Sequence, residues 1–159
     1  MAARRGSNPI CYGCFMAHEV ERVALANFLA QSGLKHTKQR DAVLEAFLSA
    51  KSHTTSEEIF QAVHERFPAI GYTTVYRTMK LLVEAGLAQS HQFEDGVVRY
   101  EIEHAHHDHL VCTKCGKIIE FECEMIEKTQ EEVAQRYNFR VLRHRHELYG
   151  HCADCRAEG

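Results

Sequence analysis

The sequence predicts an α+β fold in two parts, a mostly helical N-terminal domain followed by a small α/β domain. Helical spacing of apolar residues dominates as far as Gly86, whereas short runs with turn residues dominate afterwards. The balance of charge changes near the same point. The chain has ten Lys/Arg and eight Asp/Glu up to Ser90, whereas it has nine Lys/Arg and fourteen Asp/Glu from His91 onward. Eight of the twelve histidines also fall in the second part. We therefore expect two domains with different partners.

The bulk composition favours a cytoplasmic protein. With 159 residues, 45% of them hydrophobic, the chain can form one or two small cores. No apolar run approaches the roughly 18 residues of a membrane span, and the N-terminus lacks the apolar stretch of a secretory signal. In that compartment the seven cysteines indicate metal or redox chemistry and not a disulfide framework.

Four helices are predicted before residue 90. Thr37 is placed as the N-cap of the second, Thr55 and Glu58 form a capping box at the third, and Gly33 and Gly86 act as stops. The apolar stripes are Val20, Val23, Leu25, Phe28 and Leu29 in the first helix, Val43, Leu44, Phe47 and Leu48 in the second, and Val75, Met79, Leu82 and Val83 in the fourth.

The fourth helix carries an unusual polar face, which consists of Thr73, Tyr76, Arg77 and Lys80. Hydroxyl, aromatic and cationic groups of this kind can lie in a DNA major groove. An ordinary surface helix is the alternative, since helix–turn–helix patterns are easily imitated. Asp95-Gly96 then predicts a hairpin. Helices followed by a hairpin predict a winged-helix DNA-binding domain.

Paired cysteines predict a structural zinc site in the second part. Two residues between thiolates let both sulfurs reach one ion, and four thiolates complete a closed tetrahedral zinc site. The alternative hypothesis is that these cysteines are buried or redox-active thiols without a metal. The four candidates are Cys112, Cys115, Cys152 and Cys155, whereas Cys11, Cys14 and Cys123 receive no assigned role.

The elements between the cysteine pairs are predicted as a small α/β unit. "LVCTKCGKIIEFE" indicates a hairpin, and "EMIEKTQEEVAQRY" a helix with Ile126, Val133 and Tyr137 on one face. "FRVLRHRHELYG" indicates one strand, in which a single face carries Leu142, His144, His146 and Leu148.

The segment "HHDH" offers a second kind of metal chemistry. In an extended chain, His107 and His109 point one way and His106 and Asp108 the other, so the segment can supply two sites. Imidazole with carboxylate suits Fe(II), Mn(II) or Zn(II). A solvated surface without metal is the plain alternative, and His104, His146 and His151 are weaker candidates.

Two other functional classes are alternatives. "HAHHDH" fits the H-x-H-x-D-H signature of metallo-β-lactamase-fold zinc hydrolases, in which zinc activates water. That fold needs further ligands well downstream, and only 50 residues follow His109. A zinc-stapled adaptor that binds protein and not DNA is the other alternative. The polar face of the fourth helix disfavours it.

Four motifs together resemble the ferric uptake regulator family of metal-dependent bacterial transcription factors. They are "GLKHTKQR", "YTTVYRTMKLLVEAGL", "HHDHLVCTKCGKIIEF" and "LYGHC". The resemblance spans Leu25 to Cys155. It implies a tail at 1–17, a winged-helix DNA-binding domain at 18–102 and a metal-binding α/β dimerisation domain at 103–159. It also implies a repressor that binds a double-stranded operator as a homodimer, without enzymatic activity, a small-molecule substrate or a membrane.

The resemblance also implies roles for individual residues. The four paired cysteines match the structural zinc site. The regulatory metal site corresponds to His53, Glu101, His107, His109 and Glu120, and an additional site corresponds to His106, Asp108, Glu127 and His144. DNA contacts are implied for Lys35, Arg40, Thr73, Tyr76, Arg77 and Lys80.

The ligand types favour Fe2+ as the regulatory metal. Peroxide-sensing members tend to carry Asp where this chain has Glu120, and zinc-sensing members tend to include a cysteine in the sensing site. Manganese sensors share nearly the same ligands, so zinc-, manganese- and peroxide-sensing members remain alternatives. Mn2+ and Zn2+ are expected to substitute for iron in vitro.

Overall fold

The computed structural model describes residues 18–50, 53–102 and 106–156. The tail at 1–17, with Cys11 and Cys14, lies outside these ranges, as does His104. Within the described ranges, no helix combines the length and apolar character needed to cross a membrane. Packing divides the chain into two units, Met1–Glu103 and His104–Gly159.

The described part of the first unit contains four helices and a three-stranded sheet. The elements are α1 (Glu19–Gln31), α2 (Lys38–Leu48), β1 (Thr54–Thr55), α3 (Ser56–Arg66), α4 (Tyr72–Glu84), β2 (Gln89–Gln92) and β3 (Val98–Glu101).

The predicted apolar stripes build the core of this unit. Burying each such side chain contributes about 1.5–3 kcal/mol. Val20 and Val23 are exposed, so α1 buries only its middle and its end. The predicted positions that are buried are Leu25, Leu29, Val43, Leu44, Phe47, Leu48, Val75, Met79 and Leu82.

Both predicted helix caps are confirmed. The hydroxyl of Thr37 accepts a hydrogen bond from the backbone N–H of Arg40 at 3.3 Å. At α3 the bonds are reciprocal: Thr55 Oγ1 accepts from Glu58 N at 3.2 Å, and Thr55 N donates to Glu58 Oε2 at 2.7 Å. That backbone donor holds the pKa of Glu58 below its usual value. The capping box satisfies N–H groups that the start of a helix leaves without partners.

The predicted hairpin is also present. Strands β2 and β3 pair antiparallel from Gln89–Glu101 to Gln92–Val98, and β1 pairs on the other side of β3. Gly96 takes a φ of +74° in the connection, which suits glycine. The Asp95 carboxylate accepts hydrogen bonds from Val97 N and from the Arg99 guanidinium, and the latter lowers the pKa of Asp95.

The second unit is a three-stranded sheet with one long and one short helix among its described residues. Strand β4 is central, antiparallel to β5 and parallel to β6. The elements are β4 (Asp108–Cys112), β5 (Ile118–Phe121), α5 (Glu124–Arg136), β6 (Glu147–Gly150) and α6 (Ala153–Arg156).

The prediction of one strand over "FRVLRHRHELYG" is wrong in its first part. Only Glu147–Gly150 forms β6, so Leu142, His144 and His146 lie outside the strand. A strand needs a hydrogen-bonding partner. The partner β4 begins at Asp108, and the last bond at that end joins His109 N to His146 O. Residues before His146 therefore lie beyond the end of β4. Despite their alternating pattern, β4 offers them no backbone groups for hydrogen bonding.

The apolar face predicted for α5 is present but largely uncovered. No residue of α5 is buried, and Val133 and the adjoining Tyr137 are 46% and 75% exposed. With Phe139, Val141 and neighbouring residues they line an open groove of about 750 Å3. A contiguous apolar surface of this kind indicates a protein–protein contact.

Candidate metal centres and DNA-binding face

Parallel pairing of β4 with β6 brings the four paired cysteines together. Cys112 ends β4 and is level with Gly150, the last residue of β6, so each CxxC segment leaves the same end of the sheet. Cys115 and Cys152 Sγ lie 3.7 Å apart. One ligand atom from each of the four residues lies within 4.8 Å of all the others.

This spacing fits a tetrahedral zinc site. A regular tetrahedron with Zn–S distances of about 2.3 Å separates its sulfurs by about 3.8 Å. Backbone N–H groups of Cys152 and Cys115 lower the pKa of Cys112 to about 6, whereas burial raises the pKa of Cys155 to about 12. Four thiolates in this volume would repel one another, and a divalent cation offsets that repulsion. Cys123, the N-cap residue of α5, is not part of this cluster.

A second cluster joins the residues of the predicted additional site. His106 Nε2 lies 2.9 Å from His144 Nε2, 3.3 Å from Glu127 Oε1 and 3.4 Å from Asp108 Oδ1. Asp108 is 1% exposed, and neither of its carboxylate oxygens has a hydrogen-bond partner among the described residues. A buried carboxylate without such partners is costly unless a cation compensates it. Two imidazoles and two carboxylates suit Fe(II), Mn(II) or Zn(II).

The regulatory residues of the second unit share one face of its sheet. The rings of His107 and His109 are 5.0 Å apart between centroids and nearly perpendicular. His109 on β4 is level with Glu120 on β5, so their side chains occupy the same face. The predicted alternation along "HHDH" is therefore present, because His106 and Asp108 belong to the other cluster.

The regulatory residues of the first unit meet at its sheet. His53 Nδ1 lies 3.2 Å from Glu101 Oε2, and the backbone of His53 has a φ of +59°. A non-glycine residue in this left-handed region costs free energy and is enriched at functional sites. Sequence reasoning missed a third residue, His91, whose Nε2 lies 2.8 Å from Glu101 Oε1. No local signal in the sequence assigns it, because its contact with Glu101 depends on the register between β2 and β3.

The predicted DNA-binding residues of α4 are exposed on one side of the helix. Tyr76 stacks on Tyr72 with the ring centroids 6.4 Å apart, and the Lys80 ammonium lies 4.9 Å from the Tyr76 ring centroid. Lys35 is exposed in the connection from α1 to α2, and the Arg40 guanidinium donates a hydrogen bond to its carbonyl. The structure therefore exposes cations and hydroxyls beside the stacked rings of Tyr72 and Tyr76.

Of the weaker histidine candidates, His146 and His151 lie within the described residues, and they join neither cluster of the second unit. His146 is half-buried beside the Phe121 ring, 6.2 Å between centroids, and His151 is exposed.

Comparison with known proteins establishes the family. A sequence model described as "Ferric uptake regulator family" matches residues 31–149. The chain belongs to the ferric uptake regulator family. It is 41% identical over 130 residues to the ferric uptake regulation protein of Campylobacter jejuni, a match that covers 80% of this chain and 83% of the relative.

Two further matches are informative about the family. The chain is similar to the solved Helicobacter pylori ferric uptake regulator, described as having three functional metal binding sites, with a TM-score of 0.79 and 30% identity over 86% of this chain and 91% of that one. It is 32% identical over 142 residues to the peroxide-responsive repressor of Staphylococcus epidermidis, which covers 89% of this chain and 93% of the relative.

Membership confirms the predicted fold and the predicted functional class. The protein is a metal-binding, DNA-binding transcriptional regulator with an N-terminal winged-helix domain and a C-terminal α/β domain. Family members are regulators and not enzymes, so the zinc hydrolase alternative is set aside. The family also acts as dimers, which agrees with the expected dimerisation domain.

Proposed function

We propose that this protein is a cytoplasmic repressor that binds a double-stranded operator as a homodimer and responds to Fe2+. One observation carries the proposal: the two clusters of the second unit contain different kinds of metal ligand. The cluster of four thiols suits a permanently bound zinc ion, whereas imidazoles and carboxylates suit an ion that exchanges. No small-molecule substrate and no membrane enter the proposed function.

The regulatory ion takes ligands from both parts of the chain. His53 and Glu101 belong to the DNA-binding domain at 18–102, and His107, His109 and Glu120 belong to the dimerisation domain at 103–159. An ion that needs all five ligands favours the one arrangement of the domains that satisfies them. Nearly complete switching requires about 5.5 kcal/mol of differential binding, a magnitude within reach of a multidentate metal site. The additional cluster binds a further divalent ion.

Iron is the preferred metal because of what the regulatory set contains. It includes no thiolate, which disfavours a zinc sensor, and it has Glu120 where peroxide sensors tend to carry Asp. Manganese prefers the same oxygen and nitrogen ligands. Mn2+ is therefore the second candidate, and a direct comparison of metals must decide between the two.

The DNA contacts divide between bases and backbone. Tyr76 and Arg77 on α4 read base edges in the major groove, with Thr73 and Lys80 beside them. Lys35 enters the minor groove, and Arg40 contacts phosphate. Two observations support this assignment. The α4 side chains are exposed, and the ring of Tyr76 stacks on that of Tyr72.

A second copy of the chain covers the groove beside α5. Exposed apolar residues on this surface are Met125, Val133, Tyr137, Phe139 and Leu142. Family members act as dimers, and a two-fold dimer presents two copies of α4 to two half-sites of one operator.

Operator binding titrated with metals under anaerobic conditions tests the proposal. Operator fragments are selected from random DNA with the Fe2+-loaded protein. Zinc is kept in the thiolate cluster, and Fe2+, Mn2+ or Zn2+ is then added to otherwise metal-free protein. We expect Fe2+ to increase operator affinity by about tenfold or more. It should do so at a lower free metal concentration than Mn2+ or Zn2+. Equal affinity with and without added metal would contradict the proposal.

A further inference from the structure

The sheet of the first unit places Glu101 between two histidines. Strand β3 is central, and Arg99 and Glu101 are on the same face because they are two residues apart. His91 on β2 pairs with Arg99, which makes it the diagonal neighbour of Glu101. On the other side Thr54 pairs with Tyr100, so the preceding residue, His53, is level with Glu101.

The two oxygens of Glu101 face different partners. Oε1 lies 2.8 Å from His91 Nε2, and Oε2 lies 3.2 Å from His53 Nδ1. Two bare acceptors would repel at this separation, so the 2.8 Å contact is favourable only when His91 Nε2 carries a hydrogen that faces Oε1. Two ligand atoms held at about 2.1 Å from one ion are separated by about 3.0–3.4 Å. The His53–Oε2 separation is therefore that of adjacent metal ligands, while Oε1 is occupied by His91.

From this contact we propose that His91 is a positioning residue for the regulatory metal site, an inference that rests on the proposed function. His91 fixes the Glu101 carboxylate so that Oε2 is directed to the ion. Carboxylate ligands are commonly held by hydrogen bonds from residues that do not touch the metal, and those residues set ligand orientation and basicity.

Phe93 keeps this arrangement ordered. Its buried ring lies 6.0 Å from the ring of His53 and 6.2 Å from that of His91, measured between centroids. The Arg99 guanidinium covers Phe93 at 5.5 Å from the ring centroid and is itself held by Asp95. Packing on these sides limits the rotamers of both histidines, so the carboxylate meets a donor in a fixed place.

Replacement of His91 in the full-length protein tests this role. His91→Leu removes the donor at similar size, and His91→Gln retains an N–H donor. Co2+ and Mn2+ titrations of protein that retains its thiolate-bound zinc give the affinity, and the Co2+ absorption spectrum reports the ligand set. We expect His91→Leu to weaken Co2+ and Mn2+ binding about 10–100-fold and His91→Gln to recover most of that loss. The Co2+ band positions should show the same number and type of ligands in both variants.

His64→Leu is the matched control, because His64 is an exposed histidine of α3 that contacts Phe60. It should leave Co2+ affinity unchanged. Wild-type affinity in His91→Leu would overturn the positioning role. Equal losses in both His91 variants, with a spectrum that has lost a nitrogen ligand, would make His91 a direct ligand and would also overturn it. Failure of the wild-type protein to bind Co2+ or Mn2+ outside the thiolate cluster would instead refute the proposed regulatory site itself.

Discussion

Adjacent side chains of α4 have opposite environments. Tyr76 and Arg77 are exposed, whereas their neighbours Val75 and Thr78 are buried. A substitution at Arg77 therefore tests DNA readout without disturbing the core. We expect Arg77→Ala to weaken specific operator binding by about 1–3 kcal/mol, because the guanidinium is proposed to contact a base. Binding to operator and to scrambled duplexes is measured at one salt concentration. The difference between the two binding free energies is the sequence-specific contribution.

Arg66→Ala is the control for net charge, since Arg66 is an exposed cation at the end of α3. It should weaken binding to both duplexes slightly and equally. Unchanged operator affinity in Arg77→Ala would remove Arg77 from base recognition.

At the scale of elements, the capping box of α3 should contribute measurably to stability. Thr55→Ala removes the hydroxyl that accepts from Glu58 N, and we expect it to lower the free energy of unfolding by about 0.5–2 kcal/mol. Urea unfolding measures the change. Ser49→Ala is the control, because Ser49 is an exposed residue at the end of α2. A loss no larger than that of Ser49→Ala would show that the box is unimportant.

The same element predicts a pH dependence. The pKa of Glu58 is held below its usual 4.5 in the folded protein, mainly by the Thr55 backbone N–H. A lowered folded pKa gives stability that is present above the unfolded pKa and is lost as pH falls through the folded value. Glu58→Gln should therefore lose less unfolding free energy than wild type between about pH 6 and about pH 3. Parallel curves for the two proteins would contradict this expectation.

Local signals predicted the elements better than their pairing. Thr55 and Glu58 could be recognised because a capping box depends on residues three apart. His91 could not be assigned from local pattern, because its contact with Glu101 depends on the register between β2 and β3. The strand predicted through Leu142 failed for a related reason, since alternation says nothing about where the partner strand ends.

For the molecule as a whole, the thiolate cluster should decide whether the second domain folds. Cys112→Ser removes one ligand and should abolish zinc retention, because a three-ligand remnant with an open position binds more weakly. We expect loss of ordered structure in 106–156 while the first unit keeps its helices. Zinc content and hydrogen exchange measure both effects. Cys123→Ser is the control, and a native-like zinc-free Cys112→Ser protein would show that the cluster is dispensable.

The parallel pairing of β6 with β4 has a consequence for a cleaved chain. The two cysteine pairs enclose all of α5 and the connection that follows it, where Arg140 and Arg143 are exposed to trypsin. An ion held by four sulfurs is a cross-link between the two sides of such a cut. A nicked protein would therefore migrate as one particle until a chelator is added, after which the C-terminal peptide would lose its strongest link to the rest of the domain.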